Sequence, residues 1–422
     1  MSTEKVLSFF KEITKVPRES GHEEKMQAFL HKFAADRKLE CKTDDVGNVL
    51  ITAPASKGME KTPTIVLQAH QDMVCEKNAG VKHDFSKDPI NYVIEDGWMV
   101  AKDTTLGADC GIGVAAALTV LDSKEIRHGK IEALFTTSEE TTLGGASGIQ
   151  PGFFTGGILL NLDSEDEGQI FVGSAGGLDT MAEFTFKFKK LPTGYVAAKF
   201  YINGCIGGHS GDDINKDRAN PVQLIARFAY KAMAKGAELC FIEGGNRHNA
   251  LAREAFVILA FPQDKEDKVV KIFNATIADI RNEYKITDPG INGFAEPTEW
   301  KKSAVDSVNS AMDFTAQKVE CCFRLAGAKV VHSDGYVGWE PKPDSRILKV
   351  AVESYRKLFK TDPQFLTIHA GLECGLFTEK YPGIDMISFG PTLRGVHAPG
   401  ERLELATLDK FWDLLVEMLQ HA

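Results

Sequence analysis

Short apolar runs that alternate with helical stretches constrain the fold of this chain more than any other feature of its sequence. The runs "TIVLQA" (64–69), "KIEALFTT" (130–137) and "GILLNLD" (157–163) are rich in large aliphatic residues, and the alanine-rich "GIGVAAALTVLDS" (111–123) has the composition of a helix. Strands of this kind are typical of a mostly parallel sheet that is covered on both faces. We therefore predict an α/β fold, with a mostly parallel sheet flanked by helices.

A different pattern begins near residue 177. In "EFTFKFKK" (183–190) phenylalanine alternates with other residues, which predicts an antiparallel strand with one side facing solvent. Further along the chain we predict a strand and two helices, at 255–262, 219–236 and 266–284. The first pattern returns after "EPKPDS" (340–345). The prediction is a discontinuous domain of residues 1–176 and 341–422, interrupted by an inserted α+β domain of residues 177–340.

Composition narrows the class of protein. With 422 residues the chain is long enough for two domains. Its 49 basic and 59 acidic residues give a net charge of −10, and no run is rich in Lys or Arg, which argues against a nucleic-acid partner. No segment approaches the roughly 18 apolar residues that span a bilayer. The eight cysteines are scattered, as in proteins with reduced thiols. We expect a cytoplasmic protein with no membrane partner.

Imidazole or carboxylate side chains follow several of the predicted strands. Such residues follow four predicted strands: His70 and Asp72, Glu139 and Glu140, Asp163, and His397. Asp109 stands just before the alanine-rich helix. A lone His-x-Asp is more often a strand end that reaches solvent. Because the carboxyl ends of parallel strands meet at one edge of a sheet, five such segments together favour a shared site.

This set of side chains has the chemistry of a metal centre. His70, Asp109, Glu140, Asp163 and His397 are too many ligands for one catalytic zinc, but they suffice for two ions if one carboxylate bridges. Two ions roughly 3.5–4 Å apart can activate water and polarise a carbonyl group. Zinc suits these ligands, and manganese or cobalt does as well. Asp72 could then orient the imidazole of His70, and Glu139 could act as a general base.

Six motifs give the chain a resemblance to a known family. "HQD", "LGADCGIG", "TTSEE", "LLNLDSED", "GGHSG" and "GVHAPGERL" occur in the order found in the zinc peptidases with two co-catalytic metal ions. The segments "VPRESGHEEK", "NRHNALARE" and "IHAGLECGLF" make it similar, within them, to the aminoacyl-histidine (Xaa-His) dipeptidases. The resemblance extends over nearly the whole chain.

The resemblance implies roles for individual residues. Asp109 is expected to bridge two ions, with His70 and Asp163 at one ion and Glu140 and His397 at the other. Glu139 is expected to be the general base and Asp72 the orienter of His70. The implied activity is metal-dependent hydrolysis of dipeptides such as β-Ala-His, by a domain that a lid domain interrupts.

The inserted domain offers substrate contacts on weaker grounds. His209 lies in the glycine-rich "NGCIGGHSGDDIN" (203–215), and the resemblance favours a histidine that reaches the scissile carbonyl over an exposed turn residue. Asn249, Arg253, Arg324 and Arg394 are candidates to bind the substrate carboxylate, for which arginine is well suited. The inserted domain is shorter than is usual in this family, and "NALARE" departs from the family pattern.

Three alternatives remain open at this stage. An N-acyl amino acid deacylase or a tripeptide aminopeptidase would use the same ligands and base with a different pocket. A metal-binding protein without catalysis would have lost the base or a ligand, whereas every expected position is filled here. The sequence also leaves open whether the protein forms a homodimer.

Overall fold

The computed structural model describes residues 3–178, 180–185, 187–209, 213–246, 250–305, 328–332, 335–368 and 371–422. The chain divides into two compact units. The first comprises Met1–Gly177 and Tyr336–Ala422, and the second comprises Leu178–Gly335. The return to the first unit therefore occurs at Tyr336, whereas the sequence pattern placed it at residue 341.

The first unit alternates helices with strands, numbered here in chain order through both units. Its helices are α1 (Glu4–Ile13), α2 (Glu24–Arg37), α3 (Ala108–Asp122), α4 (Glu139–Thr142), α5 (Gly144–Gly148), α8 (Arg346–Phe359), α9 (Cys374–Lys380) and α10 (Leu405–His421). Its strands are β1 (Glu40–Thr43), β2 (Val49–Ala53), β3 (Ile65–His70), β4 (Tyr92–Glu95), β5 (Trp98–Ala101), β6 (Ile131–Thr136), β7 (Ile158–Asn161), β8 (Gln169–Ser174), β19 (Gln364–Ile368), β20 (Asp385–Ser388), β21 (Leu393–Arg394) and β22 (Arg402–Glu404).

The main sheet of this unit has eight strands in the order β1-β2-β6-β3-β7-β20-β8-β19. The neighbouring pairs β6–β3, β3–β7, β7–β20 and β8–β19 are parallel, and the other three are antiparallel. The central strands β3 and β6 are buried at every position, as their apolar sequences predict. The predicted α/β fold with a mostly parallel sheet is confirmed. A smaller sheet has the order β21-β22-β5-β4.

Apolar layers cover both faces of the main sheet. Successive side chains of a strand point to opposite faces, so Ile65 and Leu67 of β3 lie in one apolar cluster and Val66 lies in another. The first cluster includes α1, α3, α8 and α10, and the second includes Phe377 of α9. The small side chains of α3 allow this helix to pack closely against β3, since Ala115–Ala117 are fully buried.

The second unit has its own sheet and core. Its helices are α6 (Pro221–Met233) and α7 (Glu266–Glu283), with a 3₁₀ turn at Gln263–Lys265. Its strands are β9 (Thr180–Glu183), β10 (Lys187–Lys190), β11 (Tyr195–Asn203), β12 (Gly208–His209), β13 (Glu238–Gly244), β14 (Ala250–Leu251), β15 (Ala255–Pro262), β16 (Asn292–Thr298), β17 (Lys302–Val305) and β18 (Lys329–His332). Four of them form an antiparallel sheet in the order β13-β15-β11-β16.

Helices α6 and α7 pack on this sheet through phenylalanine rings of the core, those of Phe200, Phe228, Phe261 and Phe273. The side chain of Asn220 accepts hydrogen bonds from the amides of Val222 and Gln223 and so caps the N-terminus of α6. Among the described residues of the chain, no helix is both long and apolar enough to cross a membrane.

The prediction of a single strand over residues 183–190 is wrong. The chain changes partner within this segment: β9 pairs with β18 up to Glu183, and β10 pairs with β17 from Lys187 onward. Phe188 is 57% exposed, so the alternation does not mark a buried face there. The alternation of phenylalanine with other residues indicates an extended segment, but it does not indicate which strand pairs with that segment.

Candidate metal centre

The predicted ligands lie beyond the carboxyl ends of neighbouring strands. Strands β6, β3, β7 and β20 run in one direction, so these ends share one edge of the sheet. Ligand-type residues follow at or shortly after each strand: His70 ends β3, Glu139 begins α4 after β6, Asp163 follows β7, and His397 follows β20 and β21. Asp109 stands in the first turn of α3. The topology therefore brings residues from five separate segments to one place.

The carboxylate of Asp109 lies between two imidazole rings. Its Oδ1 is 3.0 Å from Nε2 of His70, and its Oδ2 is 3.3 Å from Nε2 of His397. Each oxygen thus faces a different ring, which is the arrangement expected of a carboxylate that bridges two cations.

Each imidazole also contacts a second carboxylate. Oδ1 of Asp163 lies 3.3 Å from Nε2 of His70, and Oε2 of Glu140 lies 2.7 Å from Nε2 of His397. We name His70 with Asp163 the first position, and Glu140 with His397 the second position; Asp109 is common to both. Donor atoms of His70, Asp109 and Glu140 all lie within 4.8 Å of one another.

The chemistry of this donor set fits divalent cations. His70, Glu140 and His397 are buried, with at most 5% of their surface exposed. Oδ1 of Asp163 is buried and accepts no hydrogen bond from any described residue. Several buried carboxylates would be strongly destabilising without compensating positive charge. Imidazole nitrogen and carboxylate oxygen are ligands of zinc, manganese and cobalt.

The proton affinities of the carboxyl groups differ across the cluster. Burial raises the pKa of Glu140 to about 7, and burial also raises the pKa of Asp163; the charge of Asp109 adds to both effects. Burial opposes ionisation of Asp109 as well, but hydrogen bonds with His397 and His70 outweigh it and hold its pKa well below the usual value. The shared carboxylate is therefore the one that is ionised most readily.

Glu139 lies beside the proposed ligands, but its carboxylate is farther from an imidazole ring than theirs are. Its Oε2 is 4.0 Å from Nε2 of His70, the longest of the contacts that this ring makes with a carboxylate. Burial raises the pKa of Glu139 well above its usual value, and the charge of Glu140 contributes. A carboxylate with a raised pKa can accept a proton and return it near neutral pH, as a general base must.

Asp72 connects the end of β3 with the start of α4. Its carboxylate accepts hydrogen bonds from Oγ of Ser20 at 2.7 Å and from the amides of Glu139 and Glu140 at 3.1 and 3.2 Å. Its Oδ1 is 3.5 Å from Nδ1 of His70. Asp72 is therefore placed to orient the ring of His70 and the two glutamates together.

Sequence reasoning missed the residues that hold the segment carrying Asp109. The carboxylate of Glu401 accepts hydrogen bonds from the four consecutive backbone amides of residues 106–109, at 2.7 to 3.3 Å. The buried guanidinium of Arg18 donates to the carbonyl oxygens of Asp72 and Gly107. The only signals for these roles were a glutamate four residues after His397 and an arginine in "VPRES".

Two further buried residues near the cluster were also missed. The thiol of Cys110 donates to the carbonyl oxygen of Leu162 at 3.3 Å, and its Sγ lies within 4.8 Å of donor atoms of His70 and Asp163. Burial raises the pKa of this thiol well above its usual value, which favours the neutral thiol. Glu373 is fully buried, and burial raises its pKa to about 8.

The substrate contacts predicted from sequence are placed less fully than the ligands. His209 lies in the second unit, where its amide donates to Oδ2 of Asp213 at 2.8 Å. Arg394 donates to the carboxylate of Asp166 at 2.5 Å and to the carbonyl oxygen of Leu393 at 2.6 Å, so its guanidinium is already engaged. Asn249 and Arg324 lie outside the described residues.

Comparisons with known proteins identify peptidases that are similar to this chain. The model of peptidase family M20/M25/M40 matches residues 66–421. The chain is 34% identical to the cytosol non-specific dipeptidase of Escherichia coli, over 100% of this chain and 98% of that protein. Among solved structures, the aminoacylhistidine dipeptidase of Vibrio alginolyticus has 36% identity and a TM-score of 0.63, with 100% of this chain and 97% of that chain covered.

The aminopeptidase PepT of Bacillus cereus shares the fold. It has 21% identity and a TM-score of 0.54, with 100% of this chain and 98% of that chain covered. The family match covers most of the chain, and the Escherichia coli relative is similar over the full length. The chain therefore belongs to peptidase family M20/M25/M40.

Proposed function

We propose that this chain is a cytoplasmic dipeptidase that depends on two divalent metal ions and hydrolyses Xaa-His dipeptides, such as β-Ala-His, together with related dipeptides. The observation that carries the proposal is the carboxylate of Asp109 between two imidazoles, each of which has a carboxylate of its own. The proposed ions are zinc, with manganese or cobalt as substitutes.

Each residue of the proposed site has its own role. His70 and Asp163 would hold one ion, Glu140 and His397 the other, and Asp109 both. When bound, such ions act as Lewis acids and increase the acidity of water. Glu139 is the proposed general base: it takes a proton from the attacking water and returns it to the leaving amine. Asp72 keeps His70 and the start of α4 in a fixed orientation through its hydrogen bonds.

The proposed substrate class rests on the names of two relatives. One is called a cytosol non-specific dipeptidase and the other an aminoacylhistidine dipeptidase. Both names specify a dipeptide, and they differ in how broad the specificity is. The name of the first relative also supports the cytoplasmic location.

For contacts with the substrate we propose His209, whose backbone is held by Asp213. Asn249 and Arg324 remain proposals from the sequence for binding the substrate carboxylate. Arg394 is a weaker candidate for the same role, because Asp166 already pairs with its guanidinium.

A panel of substrates tests the proposed function. The protein is stripped with a chelator, reloaded with zinc, manganese or cobalt, and assayed on β-Ala-His, Gly-His, Cys-Gly, a tripeptide and an N-acetyl amino acid. We expect hydrolysis of the dipeptides, loss of activity in the stripped protein and recovery on reloading. Preference for the tripeptide or the N-acetyl amino acid would instead identify a tripeptide aminopeptidase or a deacylase. Full activity of verified metal-free protein would refute metal dependence.

A further inference from the structure

A second layer of buried polar side chains lies next to the ligands in the strands. Gln68 is two residues before His70, and Asn161 is two residues before Asp163. Residues two apart in a strand point to the same face of the sheet. Gln68 and Asn161 belong to neighbouring strands, and Nδ2 of Asn161 donates to Oε1 of Gln68 at 2.5 Å. This layer therefore joins the two strands that carry the ligands of the first position.

Glu373 anchors this layer. Its Oε2 accepts hydrogen bonds from Nε2 of Gln68 at 2.5 Å and from Oγ1 of Thr136 at 2.7 Å. Thr136 ends β6 and is directly opposite His70 in the parallel pair of β3 and β6. One carboxyl group thus connects β3 and β6, and through Gln68 it also connects β7.

Because Glu373 and its partners are buried, water cannot readily replace the hydrogen bonds that Glu373 accepts. The residue is 0% exposed, and its other oxygen, Oε1, has no hydrogen-bond partner among the described residues. Gln68, Thr136 and Asn161 are also 0% exposed, so water cannot readily satisfy donors that lose their acceptor. Burying a carboxyl group next to other buried carboxylates is energetically unfavourable, so we expect Glu373 to have a role beyond ordinary packing.

We propose that Glu373 is a positioning residue for the first position, fixing the relative placement of the strand ends that carry His70 and Asp163. The inference rests on the proposed function, since it presumes that these residues hold an ion. Thr136 also precedes Glu140 of the second position by four residues, but the second position has contacts of its own. The backbone of Glu140 is held by Asp72, and His397 lies beyond β20 and β21, outside the chain of hydrogen bonds that includes Glu373.

The structure therefore predicts an unequal effect on the two ions. Glu373→Ala should weaken binding of one ion by about 10- to 100-fold, as loss of a group that orients metal ligands does. Binding of the other ion should change by less than about threefold. Glu373→Gln keeps one acceptor oxygen for Gln68 and Thr136, and it should restore most of the affinity.

Glu132 provides a matched control. Glu132 is a buried glutamate of β6, 2% exposed, that accepts hydrogen bonds from the amides of Thr155 and Gly156 at 2.7 and 2.9 Å. It stands near the start of β6, whereas Thr136 stands at the end of the strand. Glu132→Ala should lower the unfolding temperature of the protein and leave both metal affinities unchanged.

The experiment measures the affinities of both ions by competition with a chromophoric chelator, together with thermal unfolding of the metal-free variants. The Asp163→Asn variant shows which of the two measured affinities belongs to the first position. Adding Glu373→Ala to Asp163→Asn should cause little further loss of that affinity. Equal weakening of both ions, unchanged affinities in Glu373→Ala, or the same losses in Glu132→Ala would overturn the inference. Wild-type protein that binds no ions would instead refute the proposed function.

Discussion

At the level of single residues, Glu139 and Glu140 are adjacent in sequence and have different surroundings. Successive residues of a helix point about 100° apart. Accordingly, Glu140 lies 2.7 Å from the ring of His397, whereas Glu139 lies 4.0 Å from the ring of His70. This difference supports separate roles for the two carboxylates, one as a ligand and one as a base.

Glu139→Gln tests that separation. The substitution keeps the size of the side chain and removes its capacity to accept a proton. We expect metal content close to that of the wild type and a kcat lower by about two to four powers of ten, the usual contribution of a positioned general base. Metal analysis and steady-state kinetics on the same preparation provide the measurement.

Glu140→Gln is the matched control. It changes a proposed ligand and not the proposed base, so it should lower the affinity of the protein for an ion. If Glu139→Gln retained wild-type turnover, another residue would have to be the base. If it lost an ion instead, Glu139 would have to be counted among the ligands.

At the level of elements, the sequence predicted the strands and the side chains that follow them. The order of strands and of imidazole and carboxylate residues was sufficient to bring His70, Asp109 and Asp163 into one predicted site. The roles of Glu401 and Glu373 could not be predicted in this way. Their partners are far away in sequence, at residues 106–109, Gln68 and Thr136, and such contacts leave no periodic pattern.

Helix α3 illustrates the same limit. The element begins at Ala108 after Gly107, but Asp109 and Cys110 have non-helical backbone angles, so the regular helix starts near residue 111, as the sequence predicts. The turn that precedes it has no side-chain cap from the local sequence. The exposed amides of a helix start require acceptors, which Ser, Thr, Asp or Asn commonly provide from the preceding residue. Here Glu401 provides them from a distant loop. A cap that comes from a distant residue leaves no signal in the sequence next to the helix start.

At the level of the whole molecule, several buried groups of the first unit should bind protons more tightly in the folded chain than in the unfolded chain. Burial raises the pKa of Glu140 to about 7 and that of Glu373 to about 8. Burial opposes protonation of His70 and His397, but the neighbouring carboxylates outweigh it and raise both pKa values. Groups with raised pKa values contribute stability at low pH, which is lost as pH rises through the folded-state pKa.

The metal-free protein should therefore become less stable between pH 5 and pH 8. The expected slope is about 1.4 kcal/mol per pH unit for each additional proton that the folded state holds. Asp72 and Asp109 have lowered pKa values and act in the opposite sense, but their contribution is lost only as pH falls below their usual value of 3.8. Urea unfolding of the chelated protein at pH 5, 6.5 and 8 measures the slope.

Two comparisons sharpen this test. Saturating zinc should reduce the loss of stability toward pH 8, since a cation favours the ionised carboxylates. Glu373→Gln cannot ionise and should have a shallower slope than the wild type. A chelated wild type whose stability rises from pH 5 to pH 8 would contradict the expected protonation of this unit.

The most direct test of the account is the number of ions bound by Asp109→Asn. The central claim is that one carboxylate serves both positions, because its two oxygens face His70 and His397 separately. Native mass spectrometry of zinc-loaded protein should find two ions in the wild type, one in His397→Ala, and weakened binding of both ions in Asp109→Asn. An Asp109→Asn protein that loses one ion and keeps the other at wild-type affinity would contradict the claim.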